Sequence, residues 1–225
     1  MFKKMQKLKE INIGVASKNF GYLGFKSLID GLKTQTEVET LSLRCGVNRV
    51  GINGAEIVNK MLAEMDNLKH LTIGFVENYI GDDGLSSLSQ NIAENLPNLK
   101  TLILDVSFND AKGFGGIAAL KHLSNKPLEH LDLRMSNNEF RDYDIKLMKP
   151  HLKQLIKNNK IFVFDFMDTA ISRVMMDDLK KLFEKHGEGY SEIAVNSIIP
   201  EEEQQKAEQA AGIKTTEKPK TEQNQ

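Results

Sequence analysis

The chain has 225 residues, of which 40% are hydrophobic, and its 30 Lys and Arg nearly balance its 31 Asp and Glu, for a net charge of −1. This is enough apolar material for one packed domain and a tail, and the near-zero charge excludes an overall field that would recruit nucleic acid or a membrane surface. A single cysteine, Cys45, excludes an internal disulfide and predicts a reducing, cytoplasmic compartment, and no apolar run reaches the roughly 18 residues of a membrane span, so we expect no membrane insertion.

A unit of strand, turn and helix begins near the N-terminus and recurs along the chain. In the copy at residues 68–88, Leu71, Ile73 and Phe75 alternate with other residues as in a strand with one buried face, and leucines at helical spacing follow a turn. The units start at Leu8, Val38, Leu68, Leu99 and Leu128. From Val38 onward the starts are 30, 31 and 29 residues apart. A period near thirty predicts a solenoid of stacked strand–helix units.

Four units carry an asparagine at the same position, ten residues after the start. These residues are Asn48, Asn78, Asn109 and Asn138. A buried asparagine amide can satisfy backbone groups where the chain leaves a strand and turns, so we predict a structural turn role for all four. Lys18 occupies this position in the first unit, which is expected of a terminal cap with only one neighbour.

The repeated pattern LxxLxLxLxxN, followed by xIGxxGxxxL, resembles the leucine-rich repeat of the ribonuclease-inhibitor-like subclass. It departs from that subclass by one extra alternating pair before the asparagine. The resemblance covers about residues 8–186 and implies an α/β solenoid, a short horseshoe with parallel strands on its concave face and helices on its convex face. We therefore expect a leucine-rich repeat domain at residues 1–186, of about six repeats, with the first and last acting as caps.

The helices of the central units should differ in length. The second is predicted to begin near Gly54, and the third to end before Pro97. The fourth, predicted at residues 117–124, should be the shortest because a glycine-rich segment precedes it. Two aspartate pairs, residues 82–83 and 177–178, are predicted at helix N-termini, where carboxylates cap backbone N–H groups and match the helix dipole.

The last two units are less regular. A helix is predicted at residues 142–157, and Pro150 inside it should kink or split it. The sixth unit begins at Ile161, 33 residues after Leu128. It lacks the asparagine, and with a helix at residues 172–186 it is predicted to form the C-terminal cap.

Residues 187–225 have a different composition, in which glutamates outnumber lysines. Pro200, followed directly by three glutamates, predicts a short helix near residues 200–211. A polar, low-complexity tail follows, which we expect to be disordered when free. These residues are interpreted as an acidic C-terminal extension that contributes to partner binding.

No motif in the chain predicts catalysis. His70 and His130 occupy equivalent positions two units apart, with no third ligand to complete a metal set. Cys45 is predicted to be a small buried hydrophobe without an accompanying base. The glycines of residues 113–116 lack the Lys-Ser/Thr ending of a phosphate loop. We therefore expect no enzymatic activity, no cofactor and no metal site.

The outward positions of the strands are the predicted partner-binding surface, because solenoids commonly bind there; the alternative is that they are merely solvated strand residues. At the ends of the strands the outward residues are mostly small, so a partner could approach the sheet closely. Asp105 and Arg134 should be neighbours and pair. The candidate protein-binding residues are Arg44, Thr72, Val76, Asp105, Ser107, Asp132, Arg134 and Ser136.

The leading functional hypothesis is a non-catalytic protein–protein interaction scaffold, a structural or adaptor subunit of a larger complex, bound through the strand face and the C-terminal extension. It rests on analogy between folds. A ciliary or cytoskeletal complex is one natural setting. The alternative is a regulator of an enzyme or small GTPase, of the inhibitor or GTPase-activating type, since the resemblance includes both. An inhibitor of this kind would have more repeats and more cysteines. A GTPase activator would have an acidic patch or a catalytic-type polar cluster in one loop, and the sequence indicates neither.

Overall fold

The computed structural model describes residues 8–167, 169–186 and 191–194, in which strands and helices alternate. The strands are β1 (Glu10–Gly14), β2 (Thr40–Arg44), β3 (His70–Gly74), β4 (Thr101–Asp105), β5 (His130–Arg134), β6 (Ile161–Asp165) and β7 (Ser191–Ala194). The helices are α1 (Gly21–Leu32), α2 (Gly51–Leu62), α3 (Gly81–Asn95), α4 (Gly113–Leu123), α5 (Asp142–Asn158) and α6 (Arg173–His186).

The strands form one parallel sheet whose spatial order is the chain order, β1 to β7. Every crossover therefore moves one strand in the same direction, and right-handed crossovers place the helices on one side of such a sheet. Neighbouring helices pack against each other in the same order. The period near thirty is thus confirmed as an α/β repeat of the solenoid kind.

The hydrophobic core lies between the sheet and the row of helices. One inward row of the sheet is Leu41, Leu71, Leu102, Leu131 and Phe162, and the next is Leu43, Ile73, Leu104, Leu133 and Phe164. None of these side chains is more than 1% exposed. Burial of each large apolar side chain stabilises the fold by about 1.5–3 kcal/mol, so the stacked rows supply much of the driving force.

The sixth unit is in a different phase from the predicted one. Ile161 pairs in register with His130, and Phe162 pairs with Leu131. The prediction that Ile161 is equivalent to Leu128, 33 residues earlier, was therefore wrong. A slip of two residues keeps the same side chains facing the core. The alternation of phenylalanines in β6 therefore could not fix the phase.

The helices begin earlier than predicted in two units. α2 starts at Gly51 instead of Gly54, and α4 starts at Gly113 instead of residue 117. With 11 residues, α4 is the shortest helix described, as expected. Pro150 lies inside an uninterrupted α5, so it does not split that helix.

Two further differences concern the last part of the chain. Asp177 and Asp178 lie in the second turn of α6 and not at its N-terminus, and the Asp178 carboxylate pairs with Lys149 Nζ at 2.9 Å. β7 falls inside the predicted extension and pairs with β6. The helix predicted near residues 200–211 and the polar tail lie outside the described residues. Among the helices that the structure describes, none has the length and apolar character needed to cross a membrane.

Candidate protein-binding surface

The outward-pointing residues of the strands form one face, here called the strand face, which no described helix covers because the helices lie on the other side. Its first row is Asn12, Ser42, Thr72, Ile103, Asp132 and Val163. Its second row is Gly14, Arg44, Gly74, Asp105, Arg134 and Asp165. Val76, Ser107 and Ser136 follow just after the strands.

Arg134 does not pair with Asp105 as predicted. Its guanidinium instead forms a fork with Asp132, two residues earlier on the same strand, with Nε–Oδ1 and Nη2–Oδ2 distances of 3.0 and 2.7 Å. Asp132 is only 6% exposed, and a buried carboxylate needs a charged partner more than an exposed one does. Asp105 lies beside Arg134 in register, and its Oδ1 accepts the backbone N–H of Ser107 at 3.1 Å.

Three carboxylates surround this one guanidinium, and we call Asp105, Asp132, Arg134 and Asp165 the Arg134 cluster. The hydrogen bonds that Arg134 donates to Asp132 raise the pKa of Arg134 above its usual value, and the charges of Asp105 and Asp165 act in the same direction. The carboxylates outnumber the guanidinium, so this half of the strand face is negative. The other half carries the exposed Arg44, with glycines on both neighbouring strands.

Ser136 and Asp165 form the far side of the cluster. Ser136 Oγ donates to Asp165 Oδ1 at 2.5 Å and accepts the N–H of Met167 at 2.7 Å. Ser107 and Ser136 are 7% and 6% exposed, so their side chains offer little surface to a partner. Sequence reasoning missed Asp165, which aligns with Arg134 once β6 is placed in its true phase.

The four asparagines of the turn form a continuous ladder. Each side-chain Oδ1 accepts a backbone N–H from the equivalent position of the preceding unit, at 3.1–3.2 Å. For three of them it also accepts the N–H two residues further on, as Val50 donates to Asn78 and Ile80 to Asn109. Each Nδ2 donates to carbonyls of its own unit and of the preceding one. The ladder therefore ties the strand ends of adjacent units together.

Thr169 takes the asparagine position in the sixth unit. It is 4% exposed, and its Oγ1 donates to the carbonyl of Phe166 at 3.5 Å, as Asn138 donates to the carbonyl of Met135. A hydroxyl has one proton to donate where an amide has two. The ladder is accordingly held by fewer hydrogen bonds at Thr169 than at the asparagines.

A second row of side chains donates to carbonyls on the opposite edge, where helices lead into strands. Lys126 Nζ donates to the carbonyls of Leu96 at 2.7 Å and Ala93 at 3.3 Å. Burial of this amine lowers the pKa of Lys126. Side chains with the same role in other units are Asn67, Asn98 and Asn158. Lys126 also lines a cavity of about 460 Å³. Because its amine already donates to two backbone carbonyls, it has a structural role there.

The other chemical candidates remain separate. His70 is exposed and His130 half-buried, with Thr101 between them in register. Burial raises the pKa of the Cys45 thiol far above its usual value, which favours an unreactive thiol. Within the described residues, no group of three or more His, Cys, Asp or Glu is arranged to hold a metal ion.

These observations define the class of protein as an α/β repeat protein with an open strand face. A scan against protein-family models finds no match, and a search of curated proteins finds no similar sequence.

Proposed function

We propose that this protein is a non-catalytic protein–protein interaction scaffold, a structural or adaptor subunit that binds a partner protein through the strand face. The observation that carries the proposal is the Arg134 cluster, in which charged groups are held in fixed geometry on an uncovered face. The two hydrogen bonds between Asp132 and Arg134 hold both side chains in one conformation without a partner. Such preordering reduces the entropy that binding would otherwise cost.

The repeat architecture supports assignment to the leucine-rich repeats, with the strand face on the concave side of a short horseshoe. Three features favour it: the parallel strands in chain order, the helices on one side, and the asparagine ladder between units. A solenoid of this kind offers a partner an extended surface. The expected setting is a larger assembly in the cytoplasm, of a cytoskeletal or ciliary kind.

The test is a native pull-down with tagged full-length protein, compared with two single variants. Thr72→Arg places a long charged side chain in the first row of the strand face, where Thr72 is half-exposed. Lys60→Glu changes an exposed charge on α2, on the helical side. We expect wild type and Lys60→Glu to recover the same stoichiometric partners by mass spectrometry, and Thr72→Arg to lose them. Retention of the partners by Thr72→Arg would overturn the strand-face assignment.

A truncated chain tests the role of the C-terminal extension in the same experiment. The truncation should follow Ala194, because β7 is part of the sheet and a cut at residue 187 would remove it. Loss of partners from the truncated chain would make the extension an anchor. Recovery of one enzyme or GTPase in substoichiometric amounts by all versions would instead favour a regulatory role.

A further inference from the structure

Exposed hydrophobic side chains are concentrated on one edge of the molecule, where the strands lead into the helices. Eight of the ten large hydrophobic residues exposed in the described part of the chain lie in these loops or in the first helical turns that follow. They are Leu23, Val47, Ile52, Tyr79, Phe108, Phe114, Tyr143 and Val174. Single exposed apolar residues are ordinary, but a contiguous row of them marks an interaction surface.

The middle of this edge combines aromatic rings with carboxylates. Tyr79, Phe108 and Phe114 are 50%, 49% and 66% exposed. Three exposed acidic residues lie among them: Glu77, Asp83 and Asp110. We call these six residues the edge patch.

Hydrogen bonds join the two units that carry the edge patch. The N–H of Glu77 donates to the carbonyl of Ser107 at 3.0 Å, which joins the loop after β3 to the loop after β4. The N–H groups of Lys112 and Gly115 donate to Asp82 Oδ1 at 2.6 and 3.0 Å, which joins the N-termini of α3 and α4. Rings and carboxylates from both units therefore share one surface.

The carboxylates of the edge patch form no salt bridge with any described residue. In the part of the chain that the structure describes, Glu77, Asp83 and Asp110 take part in no ion pair. Lys112 lies on the loop leading into α4, and its Nζ is 3.7 Å from Glu139 Oε2 of the next unit. The patch thus presents three negative charges and three ring surfaces to whatever approaches.

We propose that the edge patch docks a segment of a partner protein in which basic side chains are interspersed with apolar ones. Lysine or arginine is attracted by the carboxylates and by the faces of the rings, while apolar side chains cover the aromatic surface. The proposal shares with the proposed function only that the partner is a protein, because it concerns a different surface.

Charge argues against two other occupants. The chain's own segment 187–225 carries eight Glu and four Lys and no Asp, Arg or His, so it is acidic and the patch repels it. A second copy placed patch against patch would bring like charges together. A basic partner segment is the occupant that the patch attracts.

A library of random 12-residue peptides displayed on phage, selected against the full-length protein, provides the test. Enriched peptides are synthesised, and their Kd values are measured by fluorescence anisotropy. The patch variant is Glu77→Gln combined with Asp83→Asn and Asp110→Asn, and Phe114→Ser tests the aromatic contribution. Thr72→Arg on the strand face is the matched control, and circular dichroism checks that every variant is folded.

We expect the selected peptides to be rich in Lys or Arg beside apolar residues. Their Kd should rise about tenfold or more in the patch variant and with added salt, rise in Phe114→Ser, and stay unchanged in Thr72→Arg. The proposal is overturned if the peptides lack basic residues, or if the patch variant binds them as wild type does. It is also overturned if Thr72→Arg abolishes binding, which would move the peptides to the strand face and leave the proposed function standing. Self-association in light scattering that the patch variant loses would place a second copy there instead.

Discussion

The first three units and the fourth and fifth leave their strands with different backbone conformations. After β1, β2 and β3 the chain uses a glycine in the left-handed region, and the φ angles of Gly21, Gly51 and Gly81 are +58°, +61° and +62°. After β4 and β5 the chain is extended instead, and Lys112 and Arg141 form single β-bridges to the next unit. The asparagine ladder runs through both regions, so the ladder defines the repeat while the turn beyond it is free to vary.

The helix starts differ in the same way. The residues that precede α1, α2 and α3 form no side-chain cap of their own. Before α2 and α3 the asparagine ladder instead accepts the N–H groups of Val50 and Ile80. In the later units aspartates accept the backbone N–H groups at the helix starts. Asp82 accepts N–H groups at the start of α4. Asp144 accepts the N–H of Arg141 before α5, and Asp142 accepts the N–H of Ser172 before α6. Asp82 and Asp142 act on the helix of the following unit. Where the glycine turn is absent, side chains from neighbouring units or from the same helix satisfy the free backbone groups.

The cores differ as well. The inward residues of β2 to β5 are leucines and isoleucine, whereas β6 contributes phenylalanines. Phe164 lies 6.0 Å from Phe162, 5.2 Å from Phe166 and 6.4 Å from Phe183, measured between ring centroids. A unit near the end of the sheet has fewer neighbours, and large rings give each side chain more area to bury.

The largest expected effect tests this difference. Phe164→Ala should lower the free energy of unfolding by about 3–5 kcal/mol, because it leaves a cavity and removes the contacts of one ring with three others. Chemical denaturation followed by circular dichroism measures it. Ile73→Ala, in the same inward row of β3, is the matched control and should cost about 2–5 kcal/mol. A cost for Phe164→Ala no larger than that for Ile73→Ala would show that the aromatic unit adds nothing particular to stability.

The asparagine ladder gives the next effect. Asn78→Leu removes the acceptor of the Asn48 and Val50 N–H groups and should cost about 1–3 kcal/mol for the buried groups left unpaired. Thr169→Val removes a single long hydrogen bond in the last rung and should cost less than about 1 kcal/mol. Thermal melting of both variants measures the difference. An unchanged melting temperature for Asn78→Leu would refute a stabilising role for the ladder.

These residues also show how far the sequence alone can predict the molecule. The asparagines and the strand rows follow from the period, because each depends on spacing inside a unit. The pairing of Arg134 and the action of Asp82 on α4 do not, because each depends on which of two neighbouring groups is closer in space. The phase of β6 could not be predicted because alternation repeats every two residues.

The third effect separates two reasons why a position requires glycine: a left-handed backbone at Gly81 and a close approach of another residue at Gly115. Gly81→Ala should cost about 1–2 kcal/mol because its φ of +62° is left-handed, although a Cβ there would meet no atom within 4 Å. Gly81→Asn should cost less, since asparagine tolerates this region. Gly115 is the contrast, because its Cβ would lie 2.6 Å from Asp82 Oδ1 and 2.7 Å from Asp82 Cα. There Asn should be worse than Ala, and denaturation curves of the four variants would reveal the reversal. The same order at both sites would contradict this distinction.

The smallest effect concerns the cap that joins α3 to α4. Asp82→Ala should cost about 1 kcal/mol, the ordinary value for a lost N-cap, because the N–H groups of Lys112 and Gly115 lose their acceptor. Asp83→Ala is the matched control: it removes a charge from the same first turn of α3 without removing a hydrogen bond, and should stay within about 0.5 kcal/mol. Hydrogen exchange at the start of α4 should accelerate in the first variant only. If both variants cost the same, the aspartates would be acting through the dipole of their own helix, and the later units would not differ from the earlier ones in how their helices begin.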